Sequence, residues 1–238
     1  MNILPGILEN SYEAIEGSVA EVVSSTHKVH VDVCDGIYVQ AKTWPYSHIK
    51  TGRIEENFHI SKLQTEDMGL PFWEKTEYQF DLMIKDPWRT IPVWAQAGAT
   101  SVVIHPTSCE SKEKVLESIA LADSLFMEVY ISYTYDEWML AKDKNSEALT
   151  AYGVVGLQCM TIKTIGVQGQ PFDVRWLEEL AFVKETYPNL LIQFDGGVDE
   201  DIPEDVAEKG VTSLVIGSAI FKEGNANENL NFFKHMFS

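Results

Sequence analysis

Apolar and polar side chains alternate along the segment from Val29 to Cys34. Valine occupies every second position there, which is typical of a β-strand that buries one face against a covering layer. The other face carries His30, Asp32 and Cys34, and Asp35 and the following glycine end the strand. Alternation or short apolar runs predict eight strands in all. They cover residues 3–8, 27–34, 78–84, 101–105, 126–132, 154–162, 190–194 and 213–216.

Apolar residues at helical spacing separate most of these strands. The predicted helices cover residues 11–24, 60–68, 87–97, 111–123, 136–142, 173–185, 201–209 and 227–236. Strands that alternate with helices over this length predict an α/β protein with a single (β/α)8 TIM barrel, in which residues 1–238 form one domain. A doubly wound open sheet is the alternative, but it needs a glycine-rich turn after the first strand, where this chain has Leu8-Glu9-Asn10. Segment 37–76 shows few clear periods apart from the predicted helix at 60–68.

Charge narrows the classes of partner. The 238 residues include 36 acidic and 18 basic side chains, which gives a formal net charge of −18 at pH 7. Such a surface repels phosphate backbones, so we expect no nucleic-acid partner.

No apolar run reaches membrane-spanning length and the first residues lack signal-peptide features, so we expect no membrane partner. The three widely spaced cysteines form no zinc pattern, which favours a reducing cytoplasm.

Side chains that can bind a metal lie near the ends of three predicted strands. His30 and Asp32 belong to the second strand, Asp81 to the third, and Asp195 follows the seventh. In a barrel the carboxyl ends of the strands meet at one mouth, so we expect these four side chains to converge. An isolated His-x-Asp pair is more often a hydrogen-bonded core pair, but four such groups together favour a divalent ion. Zn²⁺, Mn²⁺ or Fe²⁺ would suit them, and the three carboxylates favour Mn²⁺ or Fe²⁺.

Glycine-bearing turns follow the last three predicted strands. Glycine lets backbone N–H groups approach a ligand closely, and the last two loops of such barrels commonly bind phosphate. Each turn alone is weak evidence, because loops also use glycine simply to turn. Their adjacency around one mouth predicts a phosphate site. Its residues are Gly166, Gly169, Gly196, Gly197, Gly217 and Ser218.

Taken together, these motifs resemble the ribulose-phosphate 3-epimerase family in order and approximate spacing over nearly the whole chain. The matching segments are His30-Val-Asp32-Val-Cys-Asp35-Gly36, Asp81-Leu-Met83-Ile, Ile165-Gly-Val-Gln-Gly-Gln170-Pro-Phe172, Asp195-Gly-Gly197 and Gly217-Ser-Ala-Ile-Phe221.

The resemblance implies a cytoplasmic isomerase of the pentose phosphate pathway that interconverts D-ribulose 5-phosphate and D-xylulose 5-phosphate through an enediolate. It implies that Asp32 and Asp195 are the two acid/base groups, and that both bind the metal together with His30. Met83 and Met160 would line the wall beside the reacting carbons, and the late glycine turns would hold the phosphate. We also expect a homo-oligomer, with the number of subunits left open.

Four positions depart from the family pattern. Asp81 replaces a metal-binding histidine, Gly6 replaces a serine, and Cys34 replaces a methionine. The phosphate loop also differs, with Gln168 at a position that is usually glycine, and segment 37–76 is longer. Two alternatives therefore stay open: a related barrel enzyme that acts on a different phosphosugar, and a catalytically silent ligand-binding barrel. The Asp-x-Lys-x-x-Asp motif of the related decarboxylases is absent, which argues against decarboxylation.

Overall fold

Eight parallel strands close into a barrel in which each strand pairs with the next along the chain and the last pairs with the first. The computed structural model describes residues 1–50, 53–142, 146–167, 169–221 and 224–237. The predicted (β/α)8 TIM barrel is confirmed. The strands are β1 Asn2–Ile7, β2 Lys28–Cys34, β3 Glu77–Met83, β4 Ser101–Ile104, β5 Glu128–Thr134, β6 Val154–Met160, β7 Leu191–Asp195 and β8 Ser213–Ile216.

Helices cover the outside of the barrel and begin at residues that cap them. Ser11 accepts a hydrogen bond from the backbone N–H of Ala14, and Thr134 and Glu137 form a capping box. The helices are α1 Tyr12–Val22, α2 Phe58–Gln64, α3 Ile91–Ala97, α4 Lys112–Ser124, α5 Tyr135–Ala141, α6 Ser146–Thr150, α7 Arg175–Thr186, α8 Ser218–Phe221 and α9 Ala226–Met236. In the part of the chain that the structure describes, no helix combines the length and apolar character needed to cross a membrane.

Two of the predicted elements are wrong in detail. The predicted helix at 201–209 is only a 3-10 turn, Glu204–Val206, followed by further turns. Pro203 disfavours helical backbone at the residue before it, and Gly210 takes a left-handed φ of +97° that ends the segment. The fifth strand was expected from residue 126, but Phe126 is 96% exposed and has a φ of +62° in the turn after α4.

The two faces of the strands divide the core. Val29, Val31 and Val33 of β2 are at most 1% exposed and belong to the hydrophobic layer between the strands and the helices. Large aromatic side chains also fill that layer; for example, the rings of Phe80 and Trp94 lie 4.6 Å apart. Residues at the alternate strand positions point into the barrel interior, and the polar groups at the mouth occupy such positions.

Segment 37–76 begins over the barrel mouth and is held there by Asp35. One oxygen of this carboxylate accepts hydrogen bonds from the backbone N–H groups of Ile37 and Tyr38, and the other accepts one from Lys85. Val39 packs against buried side chains at the ends of β2 and β3. The rest of the segment includes the 3-10 turns Tyr46–His48 and Ile54–Glu56 and helix α2. No regular element was predicted for this segment before residue 60.

Candidate active site

One imidazole and three carboxylates meet at the carboxyl end of the barrel. His30 Nε2 lies 3.3 Å from Asp32 Oδ1, 3.7 Å from Asp81 Oδ2 and 3.6 Å from Asp195 Oδ2. One ligand atom from each of the four residues lies within 4.8 Å of the others. The register explains this convergence, because Asp32 and Asp81 are paired across β2 and β3 and face the same interior layer. The structure thus brings together all four side chains that the sequence predicted as metal ligands.

The donor atoms fit a divalent cation. His30 Nδ1 lies 2.8 Å from Gln79 Oε1, which leaves Nε2 facing the carboxylates. Among the described residues, His30 Nε2 and Asp32 Oδ1 are buried and have no hydrogen-bond partner. Buried polar atoms without partners are costly, and a cation between the nitrogen and the oxygens would satisfy them. These residues can therefore hold a metal ion.

Two residues that the sequence analysis missed complete the surroundings of Asp81. His105 Nε2 lies 2.6 Å from Asp81 Oδ1, and Gln158 Nε2 donates to Asp81 Oδ2 at 2.7 Å and to Asp195 Oδ2 at 3.1 Å. All of these side chains are at most 10% exposed. Strand parity was a usable signal, because Gln158 lies two residues before Met160 on the same face of β6.

Burial and charge act against each other on the ionisable groups of the site. Burial favours a neutral His105 and a neutral Asp81, but their mutual charge and hydrogen bond dominate: the pKa of His105 is raised, and the pKa of Asp81 lies well below its usual range. Burial opposes the charged form of His30 as well, yet the nearby carboxylates of Asp32, Asp81 and Asp195 hold its pKa well above the ordinary value. Burial raises the pKa of Asp32. Burial raises the pKa of Asp195 to about 8. The charge of His30 acts to lower this pKa, and the charges of Asp32 and Asp81 act to raise it.

A cavity opens above these groups at the barrel mouth. Asp32 and Asp195 form part of its floor, whereas His30 and Asp81 are fully buried beneath it. Every residue predicted for the substrate wall and the phosphate site lines this one cavity. They are Met83, Met160, Gly166, Gly169, Gly196, Gly197, Gly217 and Ser218. The described residues that line it include no lysine or arginine.

The glycine turn after β7 leaves no room for a side chain. Gly196 and Gly197 have φ angles of +95° and +67°, and a Cβ on Gly197 would lie 2.7 Å from the backbone nitrogen of Phe172. Thr161 fixes this turn, because its backbone N–H donates to the carbonyl of Asp195 at 2.7 Å. The backbone of this turn therefore forms part of the cavity wall directly.

Three of the departures from the family pattern, Gly6, Cys34 and Asp81, lie at or beside this cavity. Gly6 lines it, and a Cβ there would lie 2.9 Å from Val215 Cγ1, so β1 and β8 approach closely where a serine was expected. Cys34 is buried and packs with Met83 and Val39. The position of Gln168 lies outside the described residues.

The fold and the site define a TIM barrel whose mouth joins a cluster that could hold a cation to a glycine-lined cavity. The model of the ribulose-phosphate 3 epimerase family matches residues 2–221, and the chain belongs to this family of isomerases.

Similar curated proteins include the ribulose-phosphate 3-epimerases of Schizosaccharomyces pombe and Aquifex aeolicus. The first is 24% identical over 233 residues, covering 95% of this chain and 89% of that protein. The second is 27% identical over 224 residues, covering 92% of this chain and 89% of that protein.

Among solved structures, 3-hexulose-6-phosphate synthase from Salmonella typhimurium has a TM-score of 0.66 at 13% identity, covering 100% of this chain and 98% of that one. Orotidine 5'-monophosphate decarboxylase from Sulfolobus solfataricus has a TM-score of 0.63 at 12% identity, covering 99% of this chain and 97% of that one. At these identities the two structures support the fold alone.

Proposed function

We propose that this chain is a metal-dependent epimerase that interconverts D-ribulose 5-phosphate and D-xylulose 5-phosphate by two-base proton transfer. The observation that carries the proposal is the pair Asp32 and Asp195 on the floor of the mouth cavity. The two carboxylates come from β2 and β7, which are separated around the barrel by β1 and β8. They can therefore reach a bound sugar from different sides, as inversion at one carbon requires.

One carboxylate removes a proton from the substrate, and the other delivers a proton to it. In one direction Asp32 removes the proton from the carbon next to the ketone and Asp195 delivers a proton to the opposite face. This division needs one ionised and one protonated group at the start of each turnover. In the reverse direction the two residues exchange roles. Neither side chain has to move, because each serves its own face of the substrate.

A metal ion would be held by His30, Asp32, Asp81 and Asp195, and this oxygen-rich set favours Mn²⁺ or Fe²⁺ over Zn²⁺. When bound, it supplies positive charge that stabilises the negative charge of an enediolate. Asp32 then has to keep its second oxygen available for the proton. Its side chain is 17% exposed towards the cavity, more than that of any of the other three.

The remaining cavity residues would bind the sugar phosphate. Met83 and Met160 give the apolar, polarizable wall beside the reacting carbons. The phosphate would be bound by backbone N–H groups of the turns that carry Gly166, Gly169, Gly196, Gly197, Gly217 and Ser218. Backbone donors suit this role, because the described cavity lining has no cationic side chain and the chain is strongly acidic.

The proposal extends to the setting of the enzyme. We propose one ribulose-phosphate-binding domain over residues 1–238 and a homo-oligomer that acts in the cytoplasm. The thiols of Cys34, Cys109 and Cys159 are all free, which supports a reducing compartment.

Replacing Asp195 by Asn tests the two-base chemistry. The amide keeps the shape and one oxygen but cannot exchange protons with carbon, so epimerisation should fall at least ~10²-fold. One epimer should still exchange its carbon-bound hydrogen with deuterated water through Asp32. Asp199→Asn, an exposed acid in the following loop, is the matched control and should keep the wild-type rate. Metal content is measured in each sample, because Asp195 is also a proposed ligand.

Two results would contradict this assignment. An Asp195→Asn variant that retains its metal and epimerises at the wild-type rate would remove Asp195 from the chemistry. A wild-type enzyme that neither epimerises these pentulose phosphates nor exchanges their hydrogen would have another phosphosugar as its substrate, or would be a silent binding barrel.

A further inference from the structure

Three buried glutamines lie inside the barrel directly below the metal-binding cluster. Gln79, Gln158 and Gln193 are 0% exposed and come from β3, β6 and β7. They lie two residues before Asp81, Met160 and Asp195, so they point into the same interior. Hydrogen bonds connect the three glutamines to one another, and Gln79 Nε2 is the amide nitrogen among them that has no partner in the described residues.

The direction of these hydrogen bonds starts at Gln158, whose NH₂ group donates to Asp81 Oδ2 at 2.7 Å. The same nitrogen also reaches Asp195 Oδ2 at 3.1 Å. Gln158 Oε1 must then be an acceptor, and it accepts from Gln193 Nε2 at 2.6 Å.

The direction continues from Gln193 to His30. The second N–H of Gln193 donates to Gln79 Oε1 at 2.9 Å, and Gln193 Oε1 accepts from the hydroxyl of Ser213 at 3.3 Å. Gln79 Oε1 is therefore an acceptor. His30 Nδ1 lies 2.8 Å from that oxygen, so Nδ1 must carry a hydrogen. With its hydrogen held on Nδ1, the imidazole has Nε2 as the nitrogen that can bind a cation.

We propose that Gln158, Gln193 and Gln79 form a directional hydrogen-bond relay that holds the hydrogen of His30 on Nδ1, so that Nε2, which faces the carboxylates, is the nitrogen that binds a divalent cation. The glutamines are positioning residues, because they act through His30 and the carboxylates. The inference rests on the proposed metal-dependent function, but it concerns metal affinity and does not depend on the sugar. Loss of such an outer hydrogen-bond partner typically weakens metal binding about 10- to 100-fold.

Two substitutions of Gln79 test the acceptor at the end of the relay. In Gln79→Met the side chain keeps its length but loses the strong acceptor, and Mn²⁺ affinity should fall about 10- to 100-fold. In Gln79→Glu a carboxylate oxygen still accepts from Nδ1, so affinity should match or exceed that of the wild type. Affinity is measured by competition with a chromogenic chelator, without any turnover. Rescue by Glu separates positioning of His30 from mere filling of the core.

Gln193 provides a second test, because its side chain hydrogen-bonds to Gln79, Gln158 and Ser213 and to none of the four metal donors among the described residues. Gln193→Met should also lower Mn²⁺ affinity, whereas Ser132→Ala, on a buried interior strand position outside the relay, should not. Thermal unfolding of the metal-free proteins shows whether each variant is folded. If Gln79→Met does not fold, the comparison of Gln193→Met with Ser132→Ala decides.

The outcomes separate this inference from the proposed function. Folded Gln79→Met and Gln193→Met variants that bind Mn²⁺ within about threefold of the wild type would overturn the relay, whatever the activity. A wild type that binds no divalent ion would overturn it as well. If the affinities rank as expected but pentulose phosphates are not epimerised, the relay stands and the proposed reaction fails.

Discussion

Gly197 gives a sharp test of the cavity wall, because its backbone leaves no room for a Cβ. In Gly197→Ala the new carbon would lie 2.7 Å from the nitrogen and 2.9 Å from the Cα of Phe172, and 2.9 Å from the carbonyl oxygen of Gln170. These are backbone atoms, so no side-chain rotation relieves the contact. The residue also has a φ of +67°, which alanine adopts only with strain.

Gly169 is the matched control. Its φ of +76° is similar, but a Cβ there meets nothing within 4 Å. Gly169→Ala should therefore show the left-handed strain alone, about 1 kcal/mol of unfolding free energy. Gly197→Ala adds displacement of packed backbone, and such overpacking typically costs about 1–3 kcal/mol more. For a chain of this size each kcal/mol corresponds to roughly 2–4 °C of melting temperature.

Thermal unfolding of the two variants measures this difference. We expect the melting temperature of Gly169→Ala to lie a few degrees below that of the wild type, and that of Gly197→Ala to lie below that of Gly169→Ala. Both variants should still be folded at 25 °C, the temperature to which these free energies refer. Phosphosugar affinity should fall in Gly197→Ala, since the turn that faces the ligand has shifted. Equal melting temperatures for the two variants would refute the argument that packed backbone fills the space beside Gly197.

Three further results are expected. The wild type should carry about one divalent ion per chain by elemental analysis, as one cluster of four donors implies; a His30→Ala, Asp32→Ala double variant should not, and equal metal content in both would contradict the site. His105→Leu should cost roughly 3 kcal/mol in chemical denaturation, because it leaves the buried charge of Asp81 with one partner fewer; an unchanged midpoint would count against that pair. A phosphosugar at about 100 times its dissociation constant should stabilise the fold by roughly 2.7 kcal/mol, and no shift in melting temperature would show that the cavity is misassigned.

Strand parity explains why much of the site could be predicted from the sequence. In β2 the valines must face the hydrophobic layer, so His30 and Asp32 must face the interior. Once the chain is a barrel, the same rule sends Asp81 and Asp195 to the same mouth. Their convergence therefore follows from local pattern and fold class, without any knowledge of the loops.

What the sequence did not predict depends on contacts between distant segments. Strand parity places His105 and Gln158 in the barrel interior, but it does not distinguish a functional side chain from a core side chain whose polar atoms are hydrogen-bonded. Their roles appear only when β3, β4 and β6 place them around Asp81. The helix expected at 201–209 failed for a local reason instead, since Pro203 outweighs the apolar spacing around it.

The exchange of a family histidine for Asp81 is the feature that most favours a silent barrel, and its surroundings oppose that alternative. A third buried carboxylate beside Asp32 and Asp195 is costly unless its charge is compensated. His105 compensates it at Oδ1, whereas Gln158 donates to Oδ2, the oxygen that lies 3.7 Å from His30 Nε2. A filled core would pair its own polar atoms. Here His30 Nε2 and Asp32 Oδ1 lie 3.3 Å apart without hydrogen-bond partners among the described residues, and a cation is the partner that both atoms can share.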